Sequence, residues 1–226
     1  MRPLRNMLMA TAMLLAACTG KGPEHDHIRG EIVGLPDQVV RLRALDPDMR
    51  TVDTTLSVRG RFEFELPRVL PRMMFVQFDN FAGFFVPVIT GGDVLITGKS
   101  DEPDRFVVGG TQACNDMERY RSSTREHEMA IRAINLGLSA ITPDSSQYAT
   151  LTARRDSLVG LCNGLRDEFI DRNPSSVMSA YLAWTKLSDT IFAAPHPRVY
   201  ACELLDKLDS SMPANTFILR LQKAAK

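Results

Sequence analysis

The hydrophobic pattern of this 226-residue chain changes its period once, directly after Gly109-Gly110, and this change constrains the fold more than any other feature. From residue 27 to residue 110, short segments of alternating polarity are interrupted by turn residues. From residue 111 onward, apolar residues recur at steps of three and four. Alternation is typical of half-buried strands, and three–four spacing is typical of amphipathic helices. The chain is therefore predicted to be an α+β protein in which a β-domain, residues 27–110, precedes a helical domain, residues 111–226.

The first of these halves contains about eight segments with the pattern of strands, and no helical segment lies between them. Four segments keep one apolar face, formed by Ile28 and Ile32; Val40, Leu42 and Ala44; Val52, Thr54, Leu56 and Val58; and Phe62, Phe64 and Leu66. The other four cover residues 73–78, 84–89, 94–97 and 105–108, and the first two of these are almost continuously apolar. Strands in succession favour an antiparallel β-sandwich or a barrel-like sheet.

The second half is predicted to be all helical and to begin with a long antiparallel helical hairpin. The apolar seam of its first helix consists of Ala113, Met117, Tyr120, Thr124, His127, Ile131, Ile134, Leu138 and Ile141. The seam of its second helix consists of Tyr148, Leu151, Arg155, Leu158, Cys162, Leu165 and Phe169. Three shorter helices follow, with the apolar positions Val177, Tyr181 and Leu182; Val199, Cys202, Leu205 and Leu208; and Phe217, Ile218 and Leu221. Ser175-Ser176 is expected to cap the first of these three.

The first 18 residues have the order of a bacterial secretion signal. Arg2 and Arg5 form a positive start, and the apolar run of residues 7–15 is too short to span a bilayer as a helix. The stretch Leu15-Ala16-Ala17-Cys18 resembles the lipobox of bacterial lipoproteins. This resemblance implies cleavage before Cys18, acylation of its thiol and of its new amino group, and localisation to the cell envelope.

Residues 1–17 are therefore predicted to be a lipoprotein signal peptide, and residues 18–26 a lipidated tether. The remaining 209 residues carry 25 basic and 27 acidic side chains, and they contain no basic patch. This charge pattern argues against nucleic acid as a partner. The lipid on Cys18 is the predicted membrane attachment, and the sequence leaves the membrane leaflet, the surface exposure and the oligomeric state undetermined.

Three stretches resemble a family of envelope lipoproteins of the Bacteroidota type, whose N-terminal unit is called domain of unknown function 4369. They are Ile28-Arg29-Gly30-Glu31-Ile32-Val33-Gly34-Leu35-Pro36; Val52-Asp53-Thr54 followed by Gly60-Arg61-Phe62-Glu63-Phe64; and Val107-Val108-Gly109-Gly110-Thr111. The resemblance covers roughly residues 27–125. In many relatives the helical segment leads into a thioredoxin-like domain with a C-x-x-C pair. Here the chain ends at Lys226, about where that domain would begin, and no C-x-x-C is present, so no redox residue can be carried over.

Cysteine is sparse after Cys18, with only Cys114, Cys162 and Cys202 remaining. A bridge between Cys162 and Cys202 is compatible with the oxidising envelope. Both residues, however, lie at apolar positions of predicted helices, where cysteine packs as a small buried hydrophobe. The sequence leaves the two alternatives open, although it favours the buried thiols.

The polar residues suggest neither a cofactor nor a catalytic group. His25-Asp26-His27 resembles a metal clip but lacks the further ligands of a closed zinc site, so no metal site is predicted. Gly98-Lys99-Ser100 resembles the end of a phosphate-binding loop, but Asp93 occupies the position of its first glycine. No pairing of a nucleophile with a base appears, and the protein is predicted not to be an enzyme.

Phenylalanine is concentrated in residues 75–85, which contain Phe75, Phe78, Phe81, Phe84 and Phe85. Core packing accounts for most of these rings, whereas a solvent-facing Phe81 or Phe85 would mark a partner surface. The sequence therefore predicts a non-catalytic binding or scaffolding role at the membrane surface, with a protein partner or small ligand held by the β-domain or by the cleft between the domains. The alternative is an accessory role to a separate thioredoxin-like oxidoreductase, which an exposed cysteine near the C-terminal helices would favour.

Overall fold

The computed structural model describes residues 25–45, 49–80, 85–190 and 196–226. Within these residues, the strands are β1 His25–Val33, β2 Gln38–Ala44, β3 Thr51–Ser57, β4 Arg61–Pro67, β5 Met73–Phe78, β6 Phe85–Ile89, β7 Val94–Lys99 and β8 Val107–Gly109. A 3-10 turn at Pro103–Arg105 precedes β8. Five helices follow: α1 Gln112–Ser139, α2 Ser146–Arg172, α3 Val177–Thr190, α4 Pro197–Asp206 and α5 Thr216–Ala224. The predicted α+β order, with strands before helices, is confirmed.

The strands form two four-stranded sheets that pack face to face. The first sheet has the order β4-β1-β7-β8, and the second has the order β3-β2-β5-β6. The β1–β7 pair is parallel, and the other pairs between the described strands are antiparallel. Rings from both sheets meet in the core: the centroid of Phe78 lies 5.5 Å from that of Phe62 and 5.9 Å from that of Phe106, in edge contacts. The β half is thus a sandwich.

Strand β3 presents its apolar residues to solvent. Val52, Leu56 and Val58, in or directly after this strand, are 38%, 63% and 56% exposed, whereas Ser57 is buried. The register explains this arrangement, because Thr55 lies opposite the buried Val40 of β2 and therefore shares its inward face. The Ser57 hydroxyl donates to the Pro36 carbonyl at 2.8 Å, so this buried polar group has a hydrogen-bond partner. β3 is an edge strand, where an inward polar face is tolerated.

The long helical hairpin is present with the predicted seam. Met117, Thr124, Ile134 and Leu138 are buried along α1, and the α2 seam residues from Tyr148 to Leu165 are half-buried. The N–H of Met178 donates to the Ser176 hydroxyl at 3.1 Å, which confirms the predicted cap of α3. Among the described residues, no helix combines the length and the apolarity needed to cross a bilayer.

The buried face of α4 differs from the predicted one by about one residue. Ala201 and Leu204 are buried, whereas Val199 and Cys202 are exposed. The fully buried Ala201 allows α4 to pack closely against its neighbours, and this position turns Cys202 outward. The expectation that Cys202 is a buried hydrophobe is therefore wrong.

Two helices cover parts of the outer face of the second sheet. In α1, the thiol of the buried Cys114 donates to the Ile89 carbonyl at the end of β6, with an Sγ–O distance of 3.3 Å. In α5, both the N–H and the hydroxyl of Thr216 donate to the Pro71 carbonyl at 3.1 Å, just before β5. One hydrophobic core runs from the sandwich into the helices through these contacts. Each junction is bordered by a cavity.

Candidate functional site

The first cavity lies between α1 and the outer face of strands β5 and β6, and is called here the α1 cleft. Its sheet side is formed by Phe75, Phe85 and Pro87. Alternation along β5 turns Val76 and Phe78 into the sandwich and leaves Phe75 on the outer face. The rings of Phe75 and Phe85 are half-buried and meet edge to face, with centroids 6.2 Å apart. The sheet thus contributes an apolar aromatic floor.

The helix side of the α1 cleft is formed by Arg121, Arg125, Glu128 and Arg132, called here the arginine row. Their spacing of four, three and four residues places them on one face of α1. This face is adjacent to the apolar seam that α1 presents to α2. Three guanidinium groups therefore point toward the aromatic floor of the sheet.

Carboxylates hold most of these guanidinium groups in place. Glu118, one turn before the row, accepts from Arg125 at 2.7 Å and from Arg121 at 3.3 Å, one through each carboxylate oxygen. Asp104, in the 3-10 turn before β8, lies 3.5 Å from Arg132. The second pair connects the middle of α1 to the β-sandwich and closes one side of the cleft.

Burial lowers the pKa of Arg121, while the neighbouring Glu118 acts in the opposite direction. A guanidinium stays protonated throughout the physiological pH range, so Arg121 carries a partly desolvated positive charge. The cleft has a volume of about 290 Å³, close to the lower end of small-ligand sites. Its interior combines this charge with the two phenylalanine rings.

The side chains that line the α1 cleft are suited to binding. The polar groups of its lining are the guanidinium groups of Arg121, Arg125 and Arg132 and the carboxylates of Asp104 and Glu128. Guanidinium groups donate paired hydrogen bonds to carboxylates and phosphates, and they stack on aromatic rings. The cleft thus places guanidinium donors next to an apolar surface, and the carboxylates of Asp104, Glu118 and Glu128 balance their charge.

Of the predicted site residues, Phe85 lies in the described part of the chain. Phe85 lines the α1 cleft and is half-buried, so its position is compatible with the predicted partner surface. Phe81 and Cys18 lie outside the described residues, as does the whole of residues 1–17.

His25 and His27 flank Asp26, which is buried. Both belong to β1, although the sequence pattern assigned His25 and Asp26 to the tether. The strand turns Asp26 to the buried side, and the His27 Nδ1 lies 2.8 Å from the Glu63 Oε1 on β4. Among the described residues, no group of three or more metal-ligating side chains is found.

The three cysteines of the described residues are free thiols, so Cys162 and Cys202 are not bridged. Cys114 is buried, Cys162 is half-buried and Cys202 is exposed. Burial raises the pKa of Cys114 and also that of Cys162, which makes both thiols less reactive. Of the three thiols in the described part of the chain, that of Cys202 is the exposed one.

Sequence reasoning missed the arginine row. The signal was present, because residues 121, 125, 128 and 132 repeat the four–three spacing of the neighbouring apolar seam. Charged residues at that spacing usually form a solvated helix face. Only the fold shows that this face is directed toward the sheet.

Comparisons with family models, with curated proteins and with solved structures found no match to this chain. The interpretation of function therefore depends on two kinds of observation. One is the geometry of the cleft, and the other is the sequence pattern of the first 18 residues.

Proposed function

We propose that this protein is a membrane-anchored envelope lipoprotein that binds a partner without catalysing a reaction. Its binding site is the α1 cleft, and its anchor is the lipid on Cys18. The partner is a protein segment or a small ligand that presents an anionic group beside an apolar one. The observation that carries this proposal is the row of guanidinium groups facing Phe75 and Phe85 across a cavity.

The composition of the cleft supports recognition of an anion. An anionic partner can exchange the bonds that Glu118 makes to Arg121 and Arg125 for its own, while its apolar part lies on the phenylalanine rings. Charge-assisted hydrogen bonds of this kind are stronger than neutral ones, and a guanidinium binds a carboxylate in a fixed, bidentate geometry. The edge-packed rings add apolar area that is partly open to a partner.

The anchor is supported by the order of residues 1–18, with a positive start, an apolar run and a lipobox-like end. Replacing the acylated cysteine, Cys18→Ser, should release the protein from the membrane fraction. Multiple acyl chains attach a protein durably, whereas an unlipidated chain has no such attachment. Cys114→Ser, in the buried thiol of α1, is the matched control and should stay in the membrane fraction. A Cys18→Ser protein that remained fully membrane-bound would contradict the anchor.

Binding in the cleft is tested by site-specific photo-crosslinking in the cell envelope. A photoreactive phenylalanine analogue at Phe85 should give a discrete adduct, because this ring faces the cleft. The same analogue at Leu161, which is 49% exposed on α2, is the control and should give none. Native mass spectrometry of the protein extracted from membranes identifies a small ligand if the partner is not a protein.

Charge variants test whether the adduct or the bound ligand depends on the arginine row. The double variant Arg121→Gln with Arg125→Gln should reduce either signal several-fold, since two guanidinium donors are lost. Arg154→Gln, an exposed arginine on α2, should leave the signal unchanged. Neither an adduct nor a ligand, or equal signals from the variant and the control, would contradict the proposed binding site.

The exposure of Cys202 favours a second candidate function, as an accessory to a separate thiol–disulfide oxidoreductase. An accessible thiol on α4 can form a mixed disulfide with a partner, whereas Cys114 cannot be reached without unfolding. The two candidate functions predict different effects of the same substitutions. If Cys202 is the functional group, Cys202→Ser should abolish a disulfide-linked complex on non-reducing gels, and Arg121→Gln with Arg125→Gln should leave that complex intact.

A further inference from the structure

A second cavity lies at the other junction between the sandwich and the helices, and is called here the α5 cavity. It has a volume of about 250 Å³ and shares no lining residue with the α1 cleft. Leu45 at the end of β2, Met73 at the start of β5 and Phe217 on α5 form its apolar wall. Three arginines from three different segments also line it: Arg50, Arg72 and Arg220.

The charge of this lining is positive. Among the described residues that line the cavity, none is acidic. Arg72 precedes β5, is only partly exposed, and its Nε atom is buried without a hydrogen-bond partner in the described part of the chain. A buried donor left without an acceptor is costly, and such groups in native proteins usually have a partner. The orphaned Nε atom therefore indicates a missing acceptor.

Arg220 packs against an aromatic ring on α3. Its guanidinium carbon lies 5.5 Å from the centroid of the Trp184 ring, in a cation–π contact. This contact engages the face of the guanidinium group and leaves the N–H donors along its edge available. Thr216 attaches the N-terminus of α5 to the Pro71 carbonyl, directly before Arg72.

We propose that the α5 cavity binds a phosphate group. The inference depends on Arg72, directly before β5, and Arg220, on α5, which line the same cavity, with Arg50 adding a third positive charge. A tetrahedral phosphate presents its anionic oxygens in three dimensions, so it can accept from guanidinium groups on different segments at once, whereas a carboxylate presents only two oxygens in one plane. The positive end of α5, whose first residues Thr216 and Phe217 line the cavity, adds to the attraction of an anion.

The phosphate can belong to a free phosphomonoester or to the headgroup of a lipid. The purified full chain is titrated by calorimetry with inorganic phosphate and with pyrophosphate at low ionic strength. In a parallel arm, the Cys18→Ser protein, which lacks the proposed lipid anchor, is sedimented with phosphatidylcholine vesicles that do or do not contain phosphatidic acid. Binding of the free anions without binding to the vesicles identifies a soluble ligand. Vesicle binding that inorganic phosphate competes away identifies a headgroup.

Three variants test the site itself. Arg220→Gln and Arg72→Gln should each weaken binding at least about tenfold, because each removes charge-assisted hydrogen bonds. Arg61→Gln, an arginine on β4 whose side chain is 77% exposed, removes the same charge elsewhere and should have no effect. Arg220 is exposed, so its variant provides the test even if Arg72→Gln fails to fold.

Each possible result either supports or overturns the phosphate site. Binding that is lost in Arg220→Gln and kept in Arg61→Gln supports the phosphate site. Absence of binding to phosphate, to pyrophosphate and to phosphatidic acid vesicles overturns it. Binding that is equally strong in Arg220→Gln and the wild type also overturns it, because the anion then binds elsewhere. The α1 cleft is not part of this test, so a failure here leaves the proposed function unaffected.

Discussion

Ser176, directly before α3, donates a hydrogen bond from its hydroxyl to the buried carboxylate of Asp116 on α1, sixty positions earlier in the chain. Two further donors reach the same carboxylate from α1 itself: the Gln112 side-chain amide, at 2.7 Å, and the Arg119 guanidinium. Because Ser176 also caps α3, the first turn of that helix is connected to the beginning of the long hairpin. The carboxylate thus fixes the angle between two helices that are distant in sequence.

Asp116→Ala should lower the free energy of unfolding by about 1–3 kcal/mol, since it leaves the buried Ser176 hydroxyl without its acceptor. Asp156→Ala removes a carboxylate from α2 whose side chain is 62% exposed, and should change stability by less than about 0.5 kcal/mol. Urea unfolding followed by circular dichroism measures both. Equal midpoints for the two variants would show that the buried carboxylate does not fix α3.

Gly60 is the second site where a single substitution should have a large effect. Arg59 and Gly60 have φ angles of +52° and +79°, the geometry of a tight turn between β3 and β4. A Cβ atom at Gly60 would lie 2.2 Å from the Ile32 carbonyl oxygen, a backbone atom that cannot move aside cheaply. Gly60→Ala should therefore destabilise the protein by about 2–4 kcal/mol.

The matched control for this substitution is Gly164→Ala. Gly164 lies within α2, and a Cβ atom there would meet nothing within 4 Å. Alanine has a higher helix propensity than glycine, so this variant should be more stable than the wild type by about 0.5–1 kcal/mol. The same chemical change thus shifts the melting temperature in opposite directions at the two positions. Shifts of the same sign would contradict the interpretation of the turn.

The sequence pattern predicts the elements of this fold well, because their periods differ clearly. The change of period at Gly109-Gly110 lies between β8 and α1, and the seam of the long hairpin follows the predicted positions. These elements depend on local spacing over many residues. A long, regular pattern averages out individual exceptions, so it specifies both the type and the face of the element.

Short elements were less predictable because their orientation depends on neighbours that a pattern does not contain. In β3, the alternation is correct but its apolar face points outward, since the register with β2 turns Thr55 to the core. In α4, the four apolar residues are compatible with two buried helix faces about 100° apart. The helix buries the face that contains Ala201, and Cys202 is therefore exposed. Both cavities were unpredictable for the same reason, because their walls come from segments far apart in the chain.

The titration of Glu63 gives a prediction about pH. The Arg29 guanidinium donates to the Glu63 carboxylate at 2.9 Å, and this hydrogen bond lowers the pKa of Glu63 below its ordinary value. Because folding lowers this pKa, the contribution to stability is present above the unfolded-state pKa and is lost as the pH falls through the folded-state pKa. Arg29→Gln should raise the pKa of Glu63 toward its ordinary value in an NMR titration. Arg105→Gln, at a distant exposed position, should leave the pKa of Glu63 where it is.

The last prediction concerns the order in which the thiols react with a thiol reagent in the native protein. Cys202 is exposed on α4 and should be labelled first. Cys162, half-buried in the α2 seam, should follow more slowly, since burial raises its pKa and reduces the fraction of thiolate. Cys114 is buried, its pKa is raised, and its thiol donates to the Ile89 carbonyl, so it should react only when the contact between α1 and β6 opens.

Mass spectrometry of the labelled protein at successive times measures this order. Cys202→Ser should remove the fast phase and leave the two slower phases unchanged, whereas Cys114→Ser should remove only the slowest one. Early labelling of Cys114 would mean that α1 separates readily from the second sheet, and the α1 cleft would then lack a fixed helix side. Labelling of Cys114 at the rate of global unfolding, by contrast, would show that α1 and the sheet form one cooperative unit, as a preformed binding cleft requires.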